Sequence, residues 1–212
     1  MESIEYDVRV AATEVGVSEM DQLALFSFLA PLRDKNPTTH VHYLHSLRVG
    51  LLSRRIAQVT AHDERALLLS GLLHDLGKCQ VCTMTLGKSD GWTDRDTAEI
   101  RRHTLDGHRL LAGRFDFTAD TTVRHHAFQG DAYPRRLPAF LHAYSPATKL
   151  LIVEHARLVA IADVYDALHR ENDKFGAKRL LDGTEIRRLM YELNRDRAAL
   201  IGTLYDRGVF SL

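Results

Sequence analysis

Histidine is the side chain in this sequence with the greatest capacity for chemistry. Twelve of the 212 residues are histidine, the commonest metal ligand in proteins. His74–Asp75 ends an otherwise leucine-rich segment, ALLLSGLLHDLGK. A carboxylate there costs free energy unless a cation or hydrogen bonds compensate it. Alone, the pair is typical of a solvated helix end, so its meaning depends on the residues around it.

Three neighbouring features favour a functional site. Lys78 lies four residues after His74, about one helical turn along, where it could contact a substrate phosphate. Asp163 interrupts the apolar segment LVAIADVYDAL, and His45 interrupts YLHSLRVGLL in the same way. Polar groups spread over several apolar helices indicate a shared site rather than isolated core residues.

Three more histidines extend the set: His103 and the pair His125–His126. Adjacent residues on a helix diverge by about 100°, so this pair is not expected to chelate one ion comfortably. The seven candidate ligands are His45, His74, Asp75, His103, His125, His126 and Asp163. They exceed the needs of one tetrahedral ion and favour two octahedral ions sharing a carboxylate, with iron or manganese as the metal.

The elements that must position these residues have helical spacing almost throughout. The pattern predicts a single-domain, all-α helical bundle, with helices at 63–77, 119–128, 147–169 and 184–203 and a loop at 79–92 among its parts. Ser18 with Asp21, and Thr93 with Asp96, are typical helix starts. We expect N-terminal helices packed on the core over 1–37, a catalytic core over 38–170 and a C-terminal helix over 171–212.

Composition restricts the partners. Lys+Arg and Asp+Glu both number 28, so no bulk charge favours long nucleic acid or an anionic membrane. The longest uncharged stretch, 137–148, is too short to span a bilayer. The charged N-terminus does not resemble a signal peptide. Two cysteines form no disulfide framework, which favours the cytoplasm, and the CxxC at Cys79–Cys82 is interpreted as packing thiols.

The order and helical context of His45, His74–Asp75 and Asp163 resemble the H…HD…D signature of HD-domain metal-dependent phosphohydrolases. HDLGK, RHH, YP and DVYDAL are most similar to the HD-GYP branch, which hydrolyses cyclic di-GMP. The resemblance implies that the seven candidates are metal ligands, with Asp75 as the bridge, and that Lys78 contacts phosphate. Val41 stands where trimetallic members carry glutamate, which implies two metal ions.

The substrate-binding positions depart from that branch. Ala127 replaces a glutamate, and Ala132 replaces the first residue of GYP. Asn172 and Phe175 stand where the branch carries basic residues that hold dinucleotide phosphates. We therefore expect activity on cyclic di-GMP to be weak or absent. Arg135 and Arg136 follow the altered loop and are weak candidates for binding an anionic substrate.

The leading hypothesis is a phosphohydrolase that binds two divalent ions and cleaves a small phosphodiester or nucleotide, by attack of a hydroxide bridging the ions. Three alternatives stay open: a cyclic di-GMP phosphodiesterase that tolerates the altered loop, a single-strand nuclease and a non-catalytic nucleotide-binding module. The amphipathic terminal helices are compatible with a homodimer, and equally with packing on the core.

Overall fold

A computed structural model describes residues 3–34, 37–88, 90–170 and 179–211. Within these ranges every regular element is helical, which confirms the predicted all-α class. The α-helices are α1 (Ser3–Glu14), α2 (Glu19–Asp34), α3 (Pro37–Thr60), α4 (Glu64–Leu73), α5 (Thr83–Leu86), α6 (Asp94–Arg101), α7 (His103–Leu111), α8 (Asp116–Thr122), α9 (Pro146–Leu168), α10 (Gly183–Leu193) and α11 (Ala198–Asp206). Short 3₁₀ helices occupy Leu76–Gln80 and Arg195–Arg197. No described helix is both long and apolar enough to cross a bilayer.

Side-chain caps start several of these helices. The Asp21 amide donates to Ser18 Oγ at 3.1 Å at the start of α2. Thr93 and Asp96 form a reciprocal capping box at the start of α6. Both caps satisfy backbone amides that have no partner within the helix. These two helix starts agree with the sequence prediction.

Two apolar clusters form the core, and α3 and α4 belong to both. The first cluster packs α1 and α2 against one side of this pair, through residues such as Leu29 and Leu47. The second packs α9, α10 and α11 against the other side, through residues such as Val49 and Ile161. Because both sides are covered, the side chains that α3 and α4 carry toward the site have little freedom to move.

A glycine contact brings α3 and α4 together near the site. A Cβ atom on Gly71 would lie 2.8 Å from Gly50 Cα and 2.7 Å from the Val49 carbonyl oxygen. The two backbones are therefore in direct contact, which only glycine allows here. This crossing lies three residues from His74 and five from His45, so it fixes how closely those histidines approach.

Several predicted boundaries were wrong. The helix expected over 63–77 ends at Leu73, because Asp75 adopts φ −103° and ψ 9° and the chain continues as a 3₁₀ helix. A one-turn helix, α5, lies inside the predicted 79–92 loop. The helix expected over 119–128 runs over Asp116–Thr122.

The helix predicted over 184–203 is divided at Asn194. This residue adopts φ −127° and ψ 41°. In its buried side chain, Nδ2 donates to the Met190 carbonyl oxygen at 2.8 Å, and Oδ1 accepts from Arg157 Nη1 at 2.9 Å. The side chain therefore ends α10 by binding one of its last carbonyls, and the chain restarts as α11.

Candidate metal centre

The structure brings all seven predicted ligands together in two adjacent groups. The first group contains His45, His74 and Asp163, and the second contains Asp75, His103, His125 and His126. Within each group, one potential ligand atom from every residue lies within 4.8 Å of the others. Five separate parts of the chain meet here: α3, the turn after α4, the start of α7, the turn after α8, and α9.

Asp75 lies between the two groups and presents one oxygen to each. Its Oδ1 lies 3.1 Å from His103 Nε2 and 3.9 Å from His125 Nε2. Its Oδ2 lies 3.3 Å from His74 Nε2 and 3.5 Å from His45 Nε2. This is the arrangement of a carboxylate that can bridge two cations.

Backbone carbonyls orient three of the histidines. In His74, His103 and His125, Nδ1 lies 2.5–2.8 Å from the carbonyl oxygen of the residue three positions earlier. A carbonyl only accepts hydrogen bonds, so each Nδ1 carries the proton. In a metal-binding histidine that is held in this way, Nε2 is the nitrogen that ligates the ion.

His45 is held by a carboxylate. Its Nδ1 lies 2.6 Å from Asp166 Oδ2, and Arg48 Nε donates to Asp166 Oδ1 at 2.5 Å. Burial opposes ionisation of Asp166, but His45 and Arg48 outweigh it and lower the pKa of this carboxyl to about 2. Asp166 therefore orients the His45 ring through Nδ1, while Nε2 of the same ring faces Asp75.

The donor atoms fit divalent cations. Among the described residues, Asp75 Oδ1, His103 Nε2, His125 Nε2 and His126 Nδ1 are buried without a hydrogen-bond partner. Buried polar atoms are nearly always paired, so four such atoms in one cluster require an explanation. They share one group, where a single cation could satisfy several of them. Imidazole and carboxylate donors suit iron, manganese and zinc.

Electrostatics favour the ligating forms. Burial and the neighbouring His74 lower the pKa of His125 to about 3, and burial holds the pKa of His126 well below its usual value. Burial opposes ionisation of Asp75, yet His74 and Lys78 hold its pKa well below the ordinary range. At neutral pH His125 and His126 are therefore neutral imidazoles and Asp75 is an anionic carboxylate. His74 differs, because the carboxylates of Asp75 and Asp163 outweigh burial and raise its pKa to about 10, so a cation bound there would replace its proton.

Lys78 lies at the solvent edge of the cluster, where its side chain is 13% exposed. The sequence placed it one turn from His74, but the 3₁₀ helix aligns residues three apart. Lys78 Nζ accordingly donates to Asp75 Oδ2 at 2.5 Å. Of the seven predicted ligands, Asp163 has the largest exposed fraction, 9%. Lys78 and Asp163 are thus more exposed than the remaining predicted ligands.

Sequence reasoning missed two neighbours of the cluster. His42 Nδ1 lies 3.5 Å from Lys78 Nζ, and burial together with Lys78 lowers the pKa of His42 to about 2. Tyr133 stacks on His126 with ring centroids 4.3 Å apart. The position of His42 one turn before His45 could have indicated its role. Tyr133 belongs to the YP motif of the resemblance, but a loop residue has no periodicity that indicates which residue it contacts.

The expected divergence of His125 and His126 was wrong. Both residues follow α8 in a non-helical turn, and their ring centroids lie 3.9 Å apart. The angle of 100° between neighbours applies only within a helix. Both rings therefore belong to the same group of potential ligands.

Arg135 and Arg136 are the predicted substrate-binding residues, whereas Asn172 and Phe175 stand at altered positions. Arg135 and Arg136 are exposed and make no hydrogen bond or ion pair with the cluster in the described part of the chain. Asn172 and Phe175 lie outside the described residues. Cys79 packs in the first core cluster, as expected, whereas Cys82 is exposed.

A second glycine contact fixes His103 against the His74–Asp75 turn. A Cβ atom on Gly77 would lie 1.9 Å from the His103 carbonyl oxygen and 2.5 Å from the Gly107 amide nitrogen. No other side chain fits in this space. Gly107 is therefore in close backbone contact with Gly77.

A family model described as HD domain matches residues 43–168. This range contains all seven candidate ligands, Lys78 and Asp166. The match confirms the resemblance predicted from the motifs.

Characterised relatives include a cyclic di-GMP phosphodiesterase of Pseudomonas aeruginosa, PA4108, which is 35% identical over 59% of this chain and 30% of the relative. The 3'3'-cGAMP-specific phosphodiesterase 1 of Vibrio cholerae is 26% identical over 82% of this chain and 39% of the relative. The chain thus spans less than half the length of these relatives. Among solved structures, the HD domain of the L. monocytogenes phosphodiesterase PgpH, in complex with cyclic-di-AMP, shares the fold with a TM-score of 0.57 at 16% identity, over 86% of this chain and 93% of that one.

Proposed function

Because this chain belongs to the HD domain family, we propose that it is a metal-dependent phosphohydrolase that cleaves a small phosphodiester. The observation that carries the proposal is the position of Asp75. Its two oxygens face two separate sets of histidine nitrogens, and its Oδ1 is buried without a hydrogen-bond partner among the described residues.

The proposed cofactor is a pair of divalent ions, iron or manganese. One ion is assigned to His45, His74, Asp163 and Asp75 Oδ2, and the other to Asp75 Oδ1, His103, His125 and His126. When bound, such ions acidify water and withdraw charge from a phosphate oxygen. All the ligands lie in one cluster, which supports a single site for both ions.

Lys78 is the chain's own electrophilic group in this proposal. Its ammonium group contacts Asp75 and lies 3.5 Å from His42 Nδ1. His42 is neutral because its pKa lies far below 7, so its nitrogen can accept a hydrogen bond. Two of the three ammonium hydrogens then have partners, which leaves one for a phosphate oxygen at the exposed edge.

The substrate class we propose is the cyclic dinucleotide. The printed names of the relatives and of the structural neighbour specify cyclic di-GMP, 3'3'-cGAMP and cyclic-di-AMP. The changes at Ala132, Asn172 and Phe175 still predict weak turnover of cyclic di-GMP. Each lost charge-assisted contact costs about 1.5–3 kcal/mol, so losing two would weaken binding by two or more orders of magnitude if they act independently.

A substrate panel tests the proposal. The manganese- or iron-loaded protein is incubated with bis-p-nitrophenyl phosphate, the three cyclic dinucleotides and a labelled single-stranded oligonucleotide. We expect cleavage of the nitrophenyl diester and of a cyclic dinucleotide other than cyclic di-GMP. Efficient turnover of cyclic di-GMP at micromolar concentrations would overturn the specificity prediction. Cleavage of the oligonucleotide alone would favour a nuclease. Metal binding without hydrolysis of any of them would favour a binding module.

A further inference from the structure

We infer that Asp120 is a positioning residue for the metal centre. Asp120 holds the His125–His126 turn against the helix that carries His103. The inference rests on the proposed function, since it concerns the second group of ligands. Asp120 itself contacts none of the seven candidates in the described part of the chain.

Asp120 is completely buried and joins three elements. Its Oδ1 lies 3.4 Å from His108 Nε2, on the same helix as His103. Its Oδ2 accepts the Leu141 amide at 3.0 Å, from the segment between α8 and α9. The aspartate itself lies on α8, one turn before the His125–His126 turn.

The third connection runs through Arg124, the residue immediately before His125. Arg124 Nη1 donates to the Asp120 carbonyl oxygen and lies 3.6 Å from Asp120 Oδ1. The guanidinium group also lies over the Phe140 ring, 4.2 Å from its centroid. The Arg124 side chain is 5% exposed, so its position is set almost entirely by these contacts.

The buried Asp120–Arg124 pair is better explained by a geometric role than by a contribution to stability. Moving a carboxylate and a guanidinium out of water costs free energy that their attraction only partly offsets, so such a pair is weak evidence for stability. Its fixed geometry, however, determines where the backbone of His125 lies relative to α7. Neutralising Asp120 should leave Arg124 without its counter-charge and release the turn.

The test is manganese binding to the full chain with Asp120→Asn, a substitution that keeps the shape of the side chain. Asp116→Asn is the matched control, since Asp116 also lies on α8 and also contacts the same segment, through His142 at 2.7 Å, but does so near the surface. Titration gives the number and affinity of bound Mn²⁺ ions. Electron paramagnetic resonance distinguishes an exchange-coupled pair from an isolated Mn²⁺ ion.

We expect wild type and Asp116→Asn to bind two coupled ions. In Asp120→Asn the site formed by the second group of ligands should lose about 10- to 100-fold in affinity, and at limiting manganese the spectrum should become that of an isolated ion. Equal affinities and a coupled spectrum in Asp120→Asn would overturn the inference alone. Failure of wild type to bind manganese or iron would instead overturn the proposed function.

A second pair of variants keeps the inference testable if Asp120→Asn does not fold. His108→Gln can place an amide nitrogen near the position of Nε2, whereas His108→Leu cannot. The coupled spectrum should survive in the glutamine variant and be lost in the leucine variant. The same spectrum in both would contradict a positioning role for this contact.

Discussion

Lys78 has two roles beside Asp75. The 2.5 Å contact between them places a positive charge directly beside the carboxylate that faces both groups of histidines. The lysine therefore limits the negative charge of the cluster and also presents an ammonium group at its exposed edge.

Replacing Lys78 with alanine should impair hydrolysis more than metal binding, because Lys78 is not among the candidate ligands. One charge-assisted hydrogen bond is worth about 1.5–3 kcal/mol, so we expect kcat/KM for bis-p-nitrophenyl phosphate to fall roughly 10- to 150-fold. Lys88→Ala is the control, since Lys88 pairs with Asp96. Unchanged kinetics in Lys78→Ala would exclude a role for Lys78 in the reaction.

The residues of the site were largely predictable because they violate the pattern around them. His45 and Asp163 stand out from apolar helices, and a family signature links them to His74–Asp75. The contacts of Tyr133 were not predictable in this way. They depend on how a loop folds back over His126, and neither composition nor spacing carries that information.

At the scale of elements, paired glycines bring the ligands into range. Gly77 contacts Gly107 backbone to backbone, and the first residue of α7 is His103. A methyl group at Gly77 would have to displace α7, because the atoms it meets belong to the backbone and not to a flexible side chain.

Gly77→Ala should therefore weaken both stability and metal binding. Overpacking of this kind typically costs about 1–3 kcal/mol, which corresponds to a fall of several degrees in the melting temperature. Gly130→Ala is a suitable control, since a Cβ atom there meets nothing within 4 Å. If the two variants had the same melting temperature and manganese affinity, the glycine contact would not constrain the site.

Helix type was predictable, but several helix ends were not. The side-chain cap at Ser18 and the capping box at Thr93 each join residues three apart, so both can be recognised in the sequence. The breaks at Asp75 and Asn194 depend instead on tertiary structure. Asn194 ends α10 while its side chain also binds Arg157, which lies 37 residues away in the chain.

For the molecule as a whole, His155 is a buried group that lowers the stability of the fold at acidic pH. It is fully buried on α9, and both ring nitrogens are without hydrogen-bond partners among the described residues. Burial and the nearby His62 lower its pKa to about 4, against the weaker effects of Asp63 and Glu154. The unfolded chain, with a pKa near 6.5, therefore binds this proton first.

His155 should thus destabilise the fold as the pH falls from about 6.5 to 4, and add nothing further below 4. His155→Leu should remove this part of the pH dependence, so that its melting temperature falls less than that of wild type across this interval. His169→Leu, at an exposed position on the C-terminal side of the same helix, is the control. Parallel curves for wild type and His155→Leu would show that His155 is already accessible to protons in the folded state.

The two core clusters share α3 and α4. His45 lies on α3, and His74 and Asp75 directly follow α4. The chain's arrangement with other copies, and its location in the cytoplasm, stay predictions from the amphipathic terminal helices and from the two cysteines. Neither affects the geometry on which the proposed chemistry depends.

The most direct test of the central claim is the metal content of wild type and Asp75→Ala, measured after equilibration with buffered manganese or iron. We expect close to two ions per wild-type chain. Asp75→Ala should lose both ions, because one oxygen of Asp75 faces each group of histidines. A variant that folds like wild type and keeps its full metal content would contradict the assignment of Asp75 as the bridge.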